Sequence, residues 1–253
     1  MADMQVLFPG RILEPYIEAY YVSSSSRQTG SNPAHFPAVS TGYIKFSPEA
    51  AIVTGQSTRP AMAEVSPGSR DGFGVKLRAG ALPALFGIPA SEVTDRVIPL
   101  EGILGNRADE LTEQIADAPT PSTQVQRFEK AFMGFIQRRS ADSHLLEQQA
   151  LAMLRQSAGQ PVSKLAEGLG YSPRHFQRKL NDFAGLSPRL YRRITRFERA
   201  VELIQVSAQH GTLDWSALAA ACGYNDQAHF IRDFHRFAGQ TPVMYLGSLK
   251  NVS

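Results

Sequence analysis

The chain has 253 residues, 43% of them hydrophobic and 19% charged, with a net charge of +3 and a single cysteine, Cys222. That length accommodates two domains of ordinary size, and the balance is that of a globular protein. A transmembrane run, an intramolecular disulfide and a cysteine-rich metal site are all excluded. The start, MADMQVLFPGRILEPY, lacks the charged-then-apolar pattern of a secretion signal, so a cytoplasmic location is expected.

Short β-type runs open the chain at Tyr16–Val22, Tyr43–Phe46, Ala51–Thr54 and Phe73–Leu77. Turn-rich stretches such as SSSSRQTGSNP and EVSPGSRDG separate them. Short strands with Gly, Pro and Ser punctuation predict a small sheet, sandwich or barrel. After Gly80 the character becomes helical. ALPALFGI predicts a short helix and Asn106–Ala118 another, before APTPST at 118–123 interrupts. Over 124–138 the residues Val125, Phe128, Phe132, Phe135 and Ile136 form one apolar stripe, expected to pack in the domain core or along a dimer seam. Ser143–Gln156 predicts one more helix, and Gly159–Pro161 marks a boundary.

The last third contains an internal repeat. The copies are LAEGLGYSPRHFQRKLNDFAGLSPRLY (165–191) and LAAACGYNDQAHFIRDFHRFAGQTPVMY (218–245). Leu-Ala, Gly-Tyr, His-Phe, Phe-Ala-Gly, a Ser/Thr-Pro pair and a final Tyr recur in order, too many matches for chance. Each copy reads as two helices around a tight turn. In the first, Val162, Leu165, Ala166 and Leu169 share a face, Gly170 ends the helix, Ser172 caps the next and Pro173 takes its first position. Phe176, Leu180 and Phe183 then follow at core spacing. In the second, Trp215, Leu218, Ala219 and Cys222 share a face, Gly223 ends the helix and Asp226 or Asn225 caps the next, whose core is Phe230, Phe234 and Phe237. Between the copies Leu190, Ile194, Phe197, Val201 and Ile204 step by 4, 3, 4 and 3, an amphipathic connecting helix with arginines on its other face.

Charge follows the same division. Residues 1–160 carry 14 Lys and Arg against 16 Asp and Glu, whereas 161–246 carry 11 against 7. A polyanionic partner for the C-terminal part fits, as does a merely solvated helix face.

The doubled unit, above all Cys222-Gly223-Tyr224 through His229-Phe230 and Phe234 to Thr241-Pro242 and Tyr245, resembles the DNA-binding domain of the AraC/XylS family of transcription regulators over about 150–247. The stretch FGVKLRAGALPALFGIPASEVTDRVIPLEGI resembles an N-terminal region of some members. The resemblance implies an α+β protein. A small β-rich, cupin-like domain with helices (1–141, β-rich to about residue 80) precedes an all-α domain (142–253) of two helix-turn-helix units at about 162–183 and 215–237, joined by a long helix. It further implies recognition helices in successive major-groove faces, roughly 34 Å apart.

Arg and Gln form bidentate pairs with guanine and adenine. Carried over from the family, Arg174, Gln177 and Arg178 are expected to contact bases in the first unit, or are surface polar residues; Lys179 and Asn181 are expected to contact phosphate or face solvent. Gln227, Ala228, Ile231 and Arg232 hold the corresponding positions in the second unit. Asp233 and Ala228 make the second helix less basic, so the first unit is expected to carry most sequence discrimination. Double-stranded DNA is the expected partner, with RNA polymerase, an unidentified small-molecule effector and a second copy of the chain as further ones. Arg59, Arg70, Lys76 and Arg78 are candidates to meet an anionic effector, or are scattered surface charges.

No cofactor or metal is expected. His35, His144, His175, His210, His229 and His235 show no ligand spacing, and His175 and His229 read as packing or capping residues. No nucleophile elbow, GxGxxG or phosphate-binding loop occurs, so an enzyme is not expected. The alternatives are a protein-interaction module or a DNA-targeted enzyme with an unrecognised N-terminal activity. DNA-repair alkyltransferases share such a helical unit but need activated cysteines, and 1–160 contain none.

Overall fold

The computed structural model describes residues 3–24, 32–47, 50–65, 72–136, 149–154, 161–208 and 213–250. The N-terminal half is built on a six-stranded antiparallel sheet in the order β1-β2-β7-β4-β5-β8. Its strands are β1 (Asp3–Leu7), β2 (Ile17–Ser24), β4 (Tyr43–Phe46), β5 (Ala51–Thr54), β7 (Gly72–Leu77) and β8 (Val97–Pro99). The strands β3 (Asn32–Phe36) and β6 (Ala61–Val65) pair separately as a ribbon. The four expected strands are β2, β4, β5 and β7, and the sheet adds β1, β8 and the ribbon.

The alternation along β4 and β7 sends Ile44, Phe46, Phe73, Val75 and Leu77 to one face, where all are buried. The helices on that face are α1 (Ala81–Phe86), α2 (Ala90–Val93), α3 (Glu101–Leu104), α4 (Arg107–Ala116) and α5 (Pro121–Ile136). The apolar stripe of α5 is core. Phe128 meets the rings of Tyr20 and Phe73 at 5.7 Å and Phe46 at 6.0 Å, and stacks on Phe132 at 3.9 Å. The Phe135 and Ile136 side chains lie outside the description. Glu129, on the same helix, accepts hydrogen bonds from the Gly10 N–H (2.8 Å) and the Tyr20 hydroxyl (3.1 Å), tying α5 to the chain that leads into β2.

Of the helix expected at 143–156, residues 149–154 are described, and they are helical. Arg70, His144 and His210 lie outside the described residues. Six further helices complete the C-terminal half: α6 (Val162–Gly168), α7 (Pro173–Ala184), α8 (Pro188–Ala208), α9 (Trp215–Ala221), α10 (Gln227–Ala238) and α11 (Pro242–Lys250). They share a second core. In the connecting helix α8 the fully buried stripe is Tyr191, Ile194, Phe197, Ala200 and Ile204, with Leu190 and Val201 half-buried at its edge. No described helix is long and apolar enough to cross a membrane.

The two halves meet through specific contacts. Ser40, in the loop before β4, donates from its N–H (2.8 Å) and its hydroxyl (2.6 Å) to the two carboxylate oxygens of Glu198 on α8. The Ala38 N–H donates to the Phe237 carbonyl near the end of α10 (2.8 Å). The Thr94 hydroxyl donates to the Gly185 carbonyl just after α7 (2.9 Å). Gly80, at φ 85, lies so close to the Phe183 ring that a Cβ there would stand 1.9 Å from its Cζ. One N-terminal half thus touches the C-terminal ends of both α7 and α10.

Candidate nucleic-acid interface

The sequence repeat is also a repeat in space. In the first unit Gly170 adopts φ 74, a left-handed conformation that glycine takes without steric cost. There the chain leaves α6, and the Tyr171 N–H bonds back to the Ala166 carbonyl at 2.8 Å. In the second Gly223 adopts φ 76, and the Tyr224 N–H bonds back to the Ala219 carbonyl at 3.0 Å. The recognition helices then start alike. The Ser172 hydroxyl accepts from the His175 N–H (3.3 Å), and the Asp226 carboxylate accepts from the His229 N–H (2.6 Å). Each cap satisfies a helix-end donor that otherwise has no partner in the helix. Asp226, not Asn225, is therefore the second cap.

In each unit a histidine packs on the tyrosine of the turn. His175 meets the Tyr171 ring edge-on at 5.1 Å, and His229 meets Tyr224 at 5.2 Å. No group of three metal-ligating side chains occurs among the described residues. Cys222 is buried in the α9 face, and burial pushes its thiol pKa up.

The core positions of α7 are Phe176, Leu180, Phe183 and Ala184, all buried. Arg174, Gln177 and Arg178 consequently point outward and are exposed. Lys179 is half-buried, its ammonium 5.7 Å from the centre of the Tyr171 ring. On α10 the core is Phe230, Phe234, Phe237 and Ala238, leaving Gln227, Ala228, Ile231 (38% exposed) and Arg232 at the surface. Arg232 also borders the cleft between the two halves.

One premise about α10 is corrected. Asp233 does not dilute the positive charge of an outward face, because it is 3% exposed and points inward. Its carboxylate lies 2.6 Å from Arg193 and 3.8 Å from Arg196, both on α8, and 3.7 Å from Nε2 of His229. Arg196 also donates to the Gly223 carbonyl (3.1 Å) and lies 4.9 Å from the centre of the Tyr224 ring. Asp233 thus fastens the second recognition helix and its turn to the connecting helix. The corresponding residue of the first unit is Lys179, which makes no such tie.

Residues 165–248 match a family described as a helix-turn-helix domain, and residues 5–99 match a domain of unknown function, DUF6597. Among solved structures, a transcriptional regulator with an AraC-type DNA-binding domain from Chromobacterium violaceum is 20% identical, over 45% of this chain and 100% of that one, with a TM-score of 0.38. A DNA-binding transcriptional dual regulator from Escherichia coli K-12 is 24% identical, over 41% of this chain and 96% of that one, with a TM-score of 0.34. ToxT from Vibrio cholerae O395 is 10% identical, over 98% of each chain, with a TM-score of 0.48. No curated protein matches at a significant level. The domain match and the doubled turn geometry agree: residues 165–248 form a helix-turn-helix domain of two units, a fold that places a helix in the DNA major groove.

Proposed function

We propose that residues 142–253 bind a specific DNA site through both recognition helices and that residues 1–141 control that binding. Arg174, Gln177 and Arg178 on α7 read base edges, and Lys179 neutralises phosphate. On α10 Gln227 and Arg232 supply polar contacts, while Ala228 and Ile231 make apolar contact, for example with a thymine methyl. The observation that carries this reading is the outward display of Arg174, Gln177 and Arg178 from the capped first turns of α7. The first unit carries most of the discrimination, since α10 offers fewer polar readers. The chain works in the cytoplasm, on the nucleoid, by binding rather than by catalysis.

The interdomain contacts support control from the N-terminal half. Ala38 and Thr94 reach the ends of α10 and α7, and Ser40 grips the helix between them. A small-molecule effector, or pairing with a second copy, that shifts these contacts shifts the population of arrangements able to span two groove faces. Recruitment of RNA polymerase would follow from the bound form. The test is a gel-shift series with the DNA flanking the gene, at rising salt. Specific binding with a steep salt dependence is expected. Arg174→Ala and Arg178→Ala should each cost about 1–3 kcal/mol of discrimination. Unchanged affinity in both variants would remove the assignment.

A further inference from the structure

The six-stranded sheet has two edges, and they differ. β8, at one edge, has three residues and ends on Pro99, which has no N–H to offer a further strand. β1, at the other, has five residues, Asp3–Leu7, with no proline, lysine or arginine among them. An edge strand turns half of its N–H and C=O groups away from the sheet, and proteins blunt such edges with short strands, proline, lysine or a bulge. β8 is blunted in two of these ways and β1 in none, since its register with β2 runs without a shift from Asp3↔Ser24 to Leu7↔Tyr20. No described strand lies on the outer side of β1.

The side chains add to this. Leu7 is half-buried against the sheet's core. The alternate residues Met4 and Val6 belong to the other face and are 60% and 43% exposed. Phe8 continues the alternation just past the strand and is 75% exposed. A row of three large apolar side chains along a bare edge is what an added strand covers. The edge is firmly held. Five residue pairs tie β1 to β2, and Glu129 accepts from the Gly10 N–H two residues beyond Phe8.

We propose that β1 pairs antiparallel with β1 of a second copy of the chain, about a two-fold axis at Val6, joining the two sheets into one. In that register Val6 faces the partner's Val6, Met4 faces the partner's Phe8 and Gln5 faces the partner's Leu7. Every exposed apolar side chain of the row meets another. An antiparallel strand is its own mate under a two-fold axis, so one surface supplies both sides. Asp3, the one charged residue of β1, falls opposite the partner's Pro9, and the two aspartates stand at opposite ends of the paired strands. A net charge of +3 over 253 residues adds little repulsion. The contact covers roughly 900 Å² over both copies, the size of a weak, concentration-dependent interface. This gives pairing with a second copy a place in the fold, and its effect on DNA rests on the reading that the N-terminal half controls binding.

The test is sedimentation velocity of the full chain from micromolar to sub-millimolar concentration. A monomer–dimer equilibrium with a dissociation constant of roughly 10–100 μM is expected. Val6→Lys sets like charges face to face on the axis, and Phe8→Ala removes the most exposed apolar group. Each should weaken the dimer about tenfold or more with an unchanged circular dichroism spectrum, and Phe8→Ala serves if Val6→Lys does not fold. Disulfide trapping reads the register. Directly opposed residues have Cα atoms about 4.5–5.5 Å apart, within disulfide reach. Val6→Cys should therefore cross-link two copies under mild oxidation. Gln5→Cys stands about 8 Å from its own copy in this register, beyond that reach, and should not. The native Cys222 is buried and does not compete. The proposal is overturned by a monomer at every concentration, by a dimer that both Val6→Lys and Phe8→Ala leave intact, or by Gln5→Cys cross-linking as fast as Val6→Cys. A dimer broken by Val6→Lys with unchanged affinity for DNA keeps the interface and removes the reading of control through pairing.

Discussion

Replacing Asp233 tests how the second helix-turn-helix unit is held. The carboxylate is nearly inaccessible, while Arg193, 2.6 Å away, keeps a quarter of its side-chain exposure. Removing one partner of a fully buried pair costs about 3–5 kcal/mol, because the other charge is left unsolvated. Here solvent reaches the arginine, so Asp233→Ala should cost about 2–3 kcal/mol. Arg193→Met should cost less, about 1–2 kcal/mol, since Arg196 remains near the carboxylate. The combined change Arg193→Met with Asp233→Leu removes both charges while keeping volume, and should recover most of the loss. In a cycle closed with Asp233→Leu as the single change, the coupling between the two sites should be about 1–3 kcal/mol. Urea unfolding followed by fluorescence suits the question, because the single tryptophan, Trp215, stacks on Phe230 in this unit at 6.3 Å. A cost for Asp233→Ala below about 0.5 kcal/mol, or additive single changes, would refute the tie between α8 and α10.

Two further outcomes follow from the same geometry. Gly80→Ala places a Cβ in the Phe183 ring at a left-handed φ, and strain plus overpacking should cost about 2–4 kcal/mol. Calorimetry should show the two halves melting separately and at lower temperature; one unchanged transition would show that this contact does not join them. Alkaline titration tests the sheet face. Burial pushes the Tyr43 hydroxyl pKa up to about 12, from the ordinary 10.0. The unfolded chain then loses this proton first, so the contribution of Tyr43 is intact below pH 10 and is lost as the pH rises towards 12. Melting temperatures measured from pH 9 to 12 should fall less steeply in Tyr43→Phe, and an identical slope would contradict the assignment.

What the sequence discloses, and what it hides, has physical reasons. Period-two alternation marks β2, β4, β5 and β7, because each has one buried face. β8 has three residues and β3 contains Pro33, too little pattern for a strand to register. The α5 stripe is plain at 125–136, but whether it meets its own sheet or a second copy depends on Phe46 and Phe73, far away in sequence. The repeat exposes both turns, both caps and both core stripes, since each is local chemistry. The burial of Asp233 was partly legible: 230, 233, 234 and 237 share a helix face, so its position pointed inward. Its partners, 40 and 37 residues earlier on α8, were not. The contacts of Ser40, Thr94 and Gly80 with the helical half leave no local pattern at all, because each depends on how two separately folded cores meet.

Hydroxyl-radical footprinting of the full chain on its own flanking DNA tests the central claim most directly. Two recognition helices held by one connecting helix should give two protected patches on one face of the duplex, centred about 10 base pairs apart. Arg174→Ala should weaken protection at one patch before the other. A single protected patch, unaffected by changes in one of the two units, would contradict binding by both.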